Sequence, residues 1–307
     1  MATFLITGGA GFIGSHVVDR IQLAGDTAVV VDDLSKGSVA NLPSDVAFIE
    51  ASIADRAAMQ EIAAELKDLK AIIHCAAQAS FVASTEDPEH DLRINIAGTI
   101  NVLDIAAAHA CPLVFTSTGG ANYGETAPRP TPETSATEPG APYGASKAAA
   151  EIYVRLWARK DNLPHTICRL GNVYGPRQRG DGEAGVVAIM AKRLFENQPI
   201  TLYGFGEPTR DFVHVNDVAR ALMDSIGIAG TYNIATGIET SVRDVYDLAR
   251  GAVPNSTSDE PQLVPLRPSE FQASCLDASL AASVLGWTPQ IDVTTGIPST
   301  VHSLLDD

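Results

Sequence analysis

Cysteine, basic side chains and long apolar runs are all scarce in this sequence. Its cysteines, Cys75, Cys111, Cys168 and Cys275, are widely spaced and form no C-x-x-C pair. Their scatter argues against a metal site and favours a reducing, cytoplasmic compartment. No apolar run approaches the length of a membrane span, and the first residues lead straight into a predicted strand. We therefore expect neither a membrane segment nor a signal peptide.

Basic residues number only 21 against 37 acidic ones, which gives a net charge of −16. This balance argues against nucleic acid and anionic membranes as partners. A small anionic ligand is still compatible with it, because a few arginines can create a local positive field. The candidates are Arg177, Arg179, Arg210 and Arg267.

Apolar strand patterns alternate with helical patterns through the first half of the chain. The predicted strands cover residues 3–7, 27–32, 46–50, 70–74, 112–117 and 164–169, and the predicted helices cover 12–24, 55–67, 87–109 and 143–161. This alternation predicts an α/β fold with a doubly wound parallel sheet (Rossmann), covered by helices on both faces. Five prolines in residues 125–142 predict a stiff loop that leads into the helix at Tyr143.

The pattern is less regular beyond residue 170. Predicted helices cover 183–195, 215–227, 240–251, 277–285 and 295–305, short strands cover 201–203 and 231–234, and a polar loop covers 252–262. The 307 residues suffice for one large or two modest domains. We expect a nucleotide-binding Rossmann domain over residues 1–170. A smaller α/β substrate-binding domain, interleaved with the first, is expected over 171–307.

The most informative motif is Thr7–Gly14, which lies between a predicted strand and a predicted helix. Glycines there let backbone N–H groups approach a pyrophosphate, and the helix N-terminus favours its negative charge. The next strand ends at Asp32, where a carboxylate can accept both hydroxyl groups of an adenosine ribose. This acid favours NAD over NADP, although Lys36 follows it closely. As an alternative, Asp32 simply caps a loop.

Two pairs of residues are candidates for catalysis. Tyr143 and Lys147 are four residues apart on a predicted helix and share one face. The ammonium can stabilise a phenolate, which allows tyrosine to act as a general base. Ser117 and Thr118 lie at the end of a predicted strand, where a hydroxyl can bind a substrate oxygen. Alternatively, Tyr143 and Lys147 are an exposed pair on a helix, and Ser117 and Thr118 are turn-forming residues at a strand end.

Taken in order, these motifs resemble the extended short-chain dehydrogenase/reductase family, and within it the UDP-glucose (UDP-galactose) 4-epimerases. The resemblance extends from residue 3 to about residue 287. It rests on Thr7–Gly14, Asp32, His74–Gln78, Asn95–Thr99, Ser117–Gly120, Tyr123–Gly124, Tyr143–Lys147, Asn172–Arg177 and Arg210–Phe212. The resemblance implies an NAD-dependent isomerase that epimerises C4 of a UDP-hexose by transient oxidation and re-reduction.

The resemblance also implies roles for individual residues. NAD would be bound by Gly8, Gly11, Phe12, Ile13, Asp32, Lys36, Ile53, Ala76, Ala77, Gln78 and Asn95. Tyr143 would be the base, and Lys147 would hold the nicotinamide ribose. Thr118, with Ser117 as a substitute, would contact the substrate. The UDP moiety would be bound by Asn172, Val187, Leu202, Tyr203, Arg210 and Arg267, although each arginine alone could be a solvated surface residue.

Several positions depart from the family pattern or bear on the reaction. Ser52 replaces an acid that often precedes the adenine contact. Gly119 and Gly120 replace the acidic residues that dehydratases and decarboxylases carry after the catalytic threonine. A 4-keto intermediate can then only be re-reduced, which favours epimerisation. Ser274 is small at a position that varies among these epimerases, where a tyrosine narrows the sugar pocket against N-acetylated sugars. We therefore expect this chain to admit N-acetylated UDP-sugars.

Other functions remain compatible with the sequence. They are a UDP-glucuronate 4-epimerase, a 4,6-dehydratase, a reductase that releases its cofactor, and a dinucleotide-sensing protein without catalysis. The last usually lacks the Tyr/Lys pair, which is present here. The resemblance further implies a homodimer formed by the alanine-rich helices 87–109 and 143–161. The alternative is that these alanines pack against the protein's own sheet.

Overall fold

The computed structural model describes residues 1–181, 185–258, 260–267 and 271–306. By its internal contacts the chain divides into two units, each with its own hydrophobic core. The first unit comprises Met1–Asn122, Thr137–Arg169 and Ala219–Tyr232, and the second comprises Tyr123–Ala136, Leu170–Val218 and Asn233–Asp307. Within the described part of the chain, no helix has the length and apolar character needed to cross a membrane.

Seven strands, numbered in chain order with the others, form the main sheet. They are β1 (Thr3–Thr7), β2 (Thr27–Asp32), β3 (Ala47–Glu50), β4 (Leu69–His74), β5 (Leu113–Thr118), β6 (Thr166–Leu170) and β10 (Gly230–Ile234). Their order is β3-β2-β1-β4-β5-β6-β10, and β1 pairs in parallel with both β2 and β4. The predicted doubly wound fold is confirmed. The strand order reverses between β1 and β4, and ligands of such sheets bind beyond the carboxyl ends of the strands there.

Most helices that surround these strands correspond to predicted ones, but those over residues 81–86 and 119–122 were not predicted. The helices are α1 (Phe12–Leu23), α2 (Arg56–Glu65), α3 (Phe81–Glu86), α4 (Pro88–Leu92), α5 (Thr99–Ala108), α6 (Gly119–Asn122) and α7 (Pro142–Asp161). The single helix predicted over 87–109 is instead α4, a π-helical segment (Arg93–Gly98) and α5. Pro142 is the first residue of α7 rather than the last residue of the loop. Proline fits this position because the N–H group that it lacks would have no partner within the first turn of a helix.

Smaller sheets carry some of the candidate substrate residues, namely Asn172, Leu202, Tyr203 and Arg210. The strands are β7 (Asn172–Tyr174), β8 (Thr201–Tyr203), β9 (Thr209–His214), β11 (Glu239–Ser241) and β12 (Gln262–Val264). Strands β11, β9 and β7 form one sheet, and β12 pairs with β8. The remaining helices are α8 (Val186–Phe195), α9 (Val215–Asp224), α10 (Val242–Ala252), α11 (Ser279–Leu285) and α12 (Val293–Asp306). The predicted start of α8, at residue 183, lies outside the described residues.

The first core is built by inward-facing aliphatic and aromatic side chains of the sheet. Leu5, Ile72 and Phe115 are fully buried between the sheet and its helices. Burial of each such side chain contributes about 1.5–3 kcal/mol, which fixes the strands whose ends carry the motifs. In the second unit, Leu194 and Val245 belong to a separate buried cluster.

Candidate active site

The glycines of Thr7–Gly14 turn the chain tightly from β1 into α1. Gly8 has φ +69°, and a Cβ there would lie 2.5 Å from the backbone nitrogen of Ala76. A Cβ on Gly14 would collide with the carbonyl oxygen of Gly8. These two positions therefore require glycine for the fold itself, since strand, turn and helix approach each other too closely for a side chain.

Gly11 is less crowded than Gly8 and Gly14. Among the described residues, a Cβ on Gly11 would meet only the carbonyl oxygen of Gly8, at 3.2 Å. Within the same part of the chain, no side chain caps helix α1, which begins at Phe12. The first backbone N–H groups of α1, including those of Phe12 and Ile13, are therefore oriented to bind an anion. This cradle fits the pyrophosphate of a dinucleotide.

Asp32 ends β2 with a buried carboxyl group. Its Oδ2 accepts a hydrogen bond from the Ala10 nitrogen at 3.0 Å, and its Oδ1 accepts one from Leu34 at 2.9 Å. Burial raises the pKa of Asp32, and the backbone hydrogen bonds oppose that shift. The carboxylate thus does cap its loop, yet a carboxylate has about four acceptor sites, so it retains capacity for a ribose hydroxyl. Lys36 lies exposed nearby in sequence, and Ile53 is buried in the first core.

The segment after β4, residues 76–78, is held by Asn95 from the π-helical segment. The Asn95 Oδ1 accepts a hydrogen bond from the Gln78 nitrogen at 2.9 Å, and its Nδ2 donates to the Gln78 carbonyl at 2.9 Å. The same Nδ2 donates to Asp91 and to the hydroxyl of Ser146 on α7. Asn95 is buried, so it fixes the predicted cofactor loop, and direct contact of Asn95 with NAD stays a prediction.

Tyr143 and Lys147 lie on the first turns of α7. Lys147 is 2% exposed, and its Nζ lies 4.1 Å from the ring centroid of Phe115. Among the described residues, no hydrogen bond or ion pair engages this ammonium group. Burial lowers the pKa of Lys147 to about 8, and burial together with Asp91 raises that of Tyr143 to about 12. The phenolate predicted from the Tyr/Lys spacing therefore needs further positive charge beside it.

Ser117 and Thr118 differ sharply in environment. Ser117 is buried, and its hydroxyl donates to Glu151 at 2.6 Å. Thr118 is half-buried, and its hydroxyl oxygen accepts from the Ala121 nitrogen at 3.2 Å. This geometry leaves the Thr118 proton available to a ligand, whereas the Ser117 proton is engaged. The environment thus supports Thr118 over its substitute Ser117.

The residues predicted for the uridine lie in the second unit. The guanidinium of Arg267 stacks 3.7 Å from the ring centroid of Tyr203, which ends β8. Val187 and Leu202 are fully buried in the second core, so their side chains already have partners. Uridine contact by these two residues stays a prediction, and it concerns backbone atoms rather than side chains.

Arg210 and Ser274 meet at one backbone oxygen. The Thr209 carbonyl accepts a hydrogen bond from the Arg210 guanidinium at 2.8 Å and another from the Ser274 nitrogen at 3.2 Å. Asn172 begins β7, which pairs with the strand of Arg210 and faces Phe212 in register. Three of the predicted substrate residues are therefore carried by one small region of the second unit.

Comparison with known proteins gives a family and several similar structures. The family described as "NAD dependent epimerase/dehydratase family" matches residues 4–235. A UDP-glucose 4-epimerase of Mycolicibacterium smegmatis is 40% identical, with 97% of each chain covered. A UDP-glucose 4-epimerase of Thermotoga maritima with UDP-glucose has a TM-score of 0.94 at 39% identity, and one of Thermus thermophilus with NAD has 0.91 at 37%. Each comparison covers 99% of both chains.

This chain belongs to the NAD-dependent epimerase/dehydratase family. The resemblance read from the ordered motifs is confirmed, and so is NAD as the cofactor. The family name covers two reactions, and Gly119 and Gly120 bear on the choice between them. These glycines begin α6, directly after Thr118, and bring no carboxyl group to the strand end.

Three buried carboxylates of this family member were not predicted from its sequence. Asp91 accepts hydrogen bonds from Gln78 and Asn95, and Glu151 accepts one from Ser117. Asp211 lies next to Arg210 and binds backbone nitrogens of residues 236, 237 and 276. Only their closeness in sequence to Asn95, Lys147 and Arg210 could have drawn attention to them.

Proposed function

We propose that this protein is an isomerase that interconverts UDP-glucose and UDP-galactose by transient oxidation and re-reduction of sugar C4. One observation carries the proposal. The first unit presents Tyr143, Lys147 and the hydroxyl of Thr118, while Gly119 and Gly120 come next without an acid. Relatives named UDP-glucose 4-epimerase that align over nearly the whole chain support it.

The cofactor is held by the first part of the chain, up to residue 170. The tight turn at Gly8 and the open position of Gly11 would admit the pyrophosphate to the N–H groups of Phe12 and Ile13, and Asp32 would accept hydrogen bonds from the adenosine ribose hydroxyls. Lys147 would donate a hydrogen bond to the nicotinamide ribose. When bound, NAD would supply two-electron redox chemistry, as acceptor and then donor of a hydride.

Tyr143 moves the proton at the sugar 4-oxygen. Its phenolate accepts that proton during oxidation and returns it during reduction. Burial raises the pKa of Tyr143 to about 12, so the positive charge of Lys147, one helical turn away, and that of an oxidised nicotinamide would have to lower it. Thr118 donates a hydrogen bond to the same oxygen and stabilises its developing charge.

The two glycines after Thr118 direct the reaction toward epimerisation. Removal of a C5 proton from a 4-keto sugar requires a base, and Gly119 and Gly120 bring no such group. The ketone is therefore reduced again at C4. Reduction on the opposite face, after the sugar has turned about its diphosphate link, gives the epimer.

The nucleotide is bound by residues 171–307. We assign the diphosphate to Asn172, Arg210 and Arg267, because guanidinium groups bind phosphate oxygens in bidentate fashion. The ring of Tyr203 borders the uridine. Contacts far from C4 hold the nucleotide while the sugar turns, so binding energy acts away from the reacting carbon.

The proposal is tested by incubating purified protein with single UDP-sugars and no added cofactor. Appearance of the C4 epimer in the NMR spectrum supports it. Protein that is denatured after purification should release NAD, because a redox-neutral cycle does not exhaust its cofactor. Accumulation of reduced cofactor, or of a dehydrated 4-keto sugar, would show a reductase or a dehydratase instead.

We also propose that the small side chain of Ser274 admits N-acetylated sugars. Ser274→Tyr should lower kcat/KM for UDP-N-acetylglucosamine by about tenfold or more, since overfilling a pocket costs about 1–3 kcal/mol. Turnover of UDP-glucose should change little. Ser283→Tyr, on the exposed side of α11, is the control. Equal loss with both substrates in Ser274→Tyr would argue against such a gate.

A cytoplasmic homodimer is the remaining part of the proposal, and free thiols at all four cysteines are consistent with that compartment. Ala106 and Ala150 pack into the first core, in agreement with the alternative that these alanines contact the protein's own sheet. However, α7 also exposes apolar side chains. Ile152 and Leu156 are 61% and 43% exposed, and Leu92 on neighbouring α4 is 54% exposed. This apolar face is consistent with the dimer contact.

Replacing Ile152 and Leu156 together by aspartate should convert the dimer to a monomer in sedimentation equilibrium, because two charges would be buried without partners. Leu23→Asp is the matched control, since Leu23 is 87% exposed at the end of α1. A wild-type protein that sediments as a monomer would overturn the proposed dimer.

A further inference from the structure

Glu151 is a fully buried carboxylate on the α7 face that also carries Tyr143 and Lys147. The three residues are spaced four apart, so they succeed one another along one side of the helix. The Glu151 carboxylate accepts several hydrogen bonds from described residues, among them those of Ser117 Oγ, Asn122 Nδ2, Arg155 Nη1, Arg169 Nε and Arg169 Nη2. None of these donors has a part in the chemistry proposed above.

The Glu151 carboxylate stays ionised. Burial alone would raise its pKa, but the hydrogen bonds and the charge of Arg169 outweigh burial, and the pKa is lowered. Arg169 is itself buried and binds both carboxylate oxygens, at 2.9 and 2.6 Å. A buried ion pair of this kind is costly to assemble and gives little net stability, so a role in the site would account for it.

We propose that Glu151 is a positioning residue for the reaction: it fixes the turn that presents Thr118 and balances the charge of Lys147. The inference rests on the proposed function, because it assumes that Thr118 and Lys147 act at the sugar and at the cofactor.

The geometry of the turn carries the first half of the proposal. Ser117 precedes Thr118, the last residue of β5, and Asn122 ends the short helix α6 that follows. Both side chains donate to Glu151, at 2.6 and 3.0 Å, and Asn122 also donates to the Ser117 hydroxyl. One carboxylate therefore ties both ends of the turn to α7. The turn that presents the Thr118 hydroxyl is thereby anchored to α7, the helix that carries Lys147.

The charges around Lys147 carry the second half. Titratable or charged groups of several elements surround it. They are His74 at the end of β4, Cys75 directly after it, Asp91 on α4, and Tyr143 and Glu151 on α7, with Arg169 of β6 behind Glu151. Burial lowers the pKa of His74 to about 3 and raises that of Cys75 to about 12, so both are neutral at pH 7. Burial lowers the pKa of Lys147, and the negative charges of Glu151 and Asp91 oppose that shift.

The test compares Glu151→Gln with wild-type holoenzyme. Loss of the negative charge lowers the pKa of Lys147, so the alkaline limb of the kcat profile should move to lower pH by about one unit. We expect kcat to fall by about 30-fold with KM nearly unchanged, as for groups that act only in the transition state. Lysine-selective NMR of the labelled protein should show the same shift in the titration of Lys147.

Ser117→Ala separates geometry from charge and remains informative if Glu151→Gln does not fold. It should lower kcat by about tenfold, since one hydrogen bond of the turn is lost, but leave the alkaline limb in place. Asp247→Asn, which breaks an exposed ion pair on α10, is the control for both variants. A folded Glu151→Gln with wild-type kcat and pH profile, or Ser117→Ala with unchanged kcat, would overturn the proposal. Failure of the wild-type enzyme to epimerise would overturn the proposed function instead.

Discussion

Tyr143→Phe should lower kcat by about 1,000-fold, which lies within the range for removal of a general acid–base group. The reason is chemical rather than steric. Phenylalanine keeps the ring but has no oxygen to accept the proton of the 4-hydroxyl group. The affinity for UDP, measured by calorimetry, should be unchanged, because the residues assigned to the nucleotide belong to the second unit.

Tyr153→Phe is the matched control for this prediction. Tyr153 lies on the same helix and packs its ring near Trp157, with centroids 6.1 Å apart. Loss of its hydroxyl should leave kcat within about twofold, as for most substitutions away from the reacting atoms. If Tyr143→Phe turned over as fast as Tyr153→Phe, another residue would have to be the base.

Gly11→Ala should weaken NAD binding by about 100-fold, equivalent to about 2.7 kcal/mol, and yet leave the fold intact. The added methyl group would occupy the open side of the cradle, where the pyrophosphate approaches the N–H groups of α1. Gly11 has an extended backbone, with φ −81° and ψ −178°, which alanine adopts without strain. The cofactor released from a weighed amount of denatured protein measures this loss.

Two further glycine variants distinguish an effect on folding from an effect on cofactor binding. Gly14→Ala should lower the melting temperature strongly, because its Cβ would collide with the Gly8 carbonyl oxygen. Gly251→Ala, whose added Cβ would have no described atom within 4 Å beyond its own helix backbone and chain neighbours, should be neutral or slightly stabilising. A Gly11→Ala protein that copurifies with a full complement of NAD would refute the cradle.

Features that depend on neighbouring residues could be predicted from the sequence. The strand, glycine turn and helix of Thr7–Gly14, the strand end at Asp32 and the helix of Tyr143 all arise from local patterns. The parallel sheet could be predicted from the alternation of strands and helices. Local chemistry therefore indicated both the family and its cofactor.

Features that depend on distant partners could not be predicted. Ser117 and Glu151 are 34 residues apart, and Asp211 binds Leu276 across 65 residues. The periodicity of apolar residues along the sequence does not predict such long-range hydrogen bonds. The π-helical segment around Asn95 was not predicted either. Burial of Val187 and Leu202 likewise reflects packing of the whole second unit.

The fate of the hydrogen on C4 tests the central claim most directly. UDP-galactose that carries deuterium at C4 is incubated with the protein in ordinary water, without added cofactor, and the product is examined by NMR. We predict UDP-glucose that still carries deuterium at C4, because the hydride leaves the carbon and returns without mixing with water. A product in which C4 has taken up hydrogen from water would contradict the account.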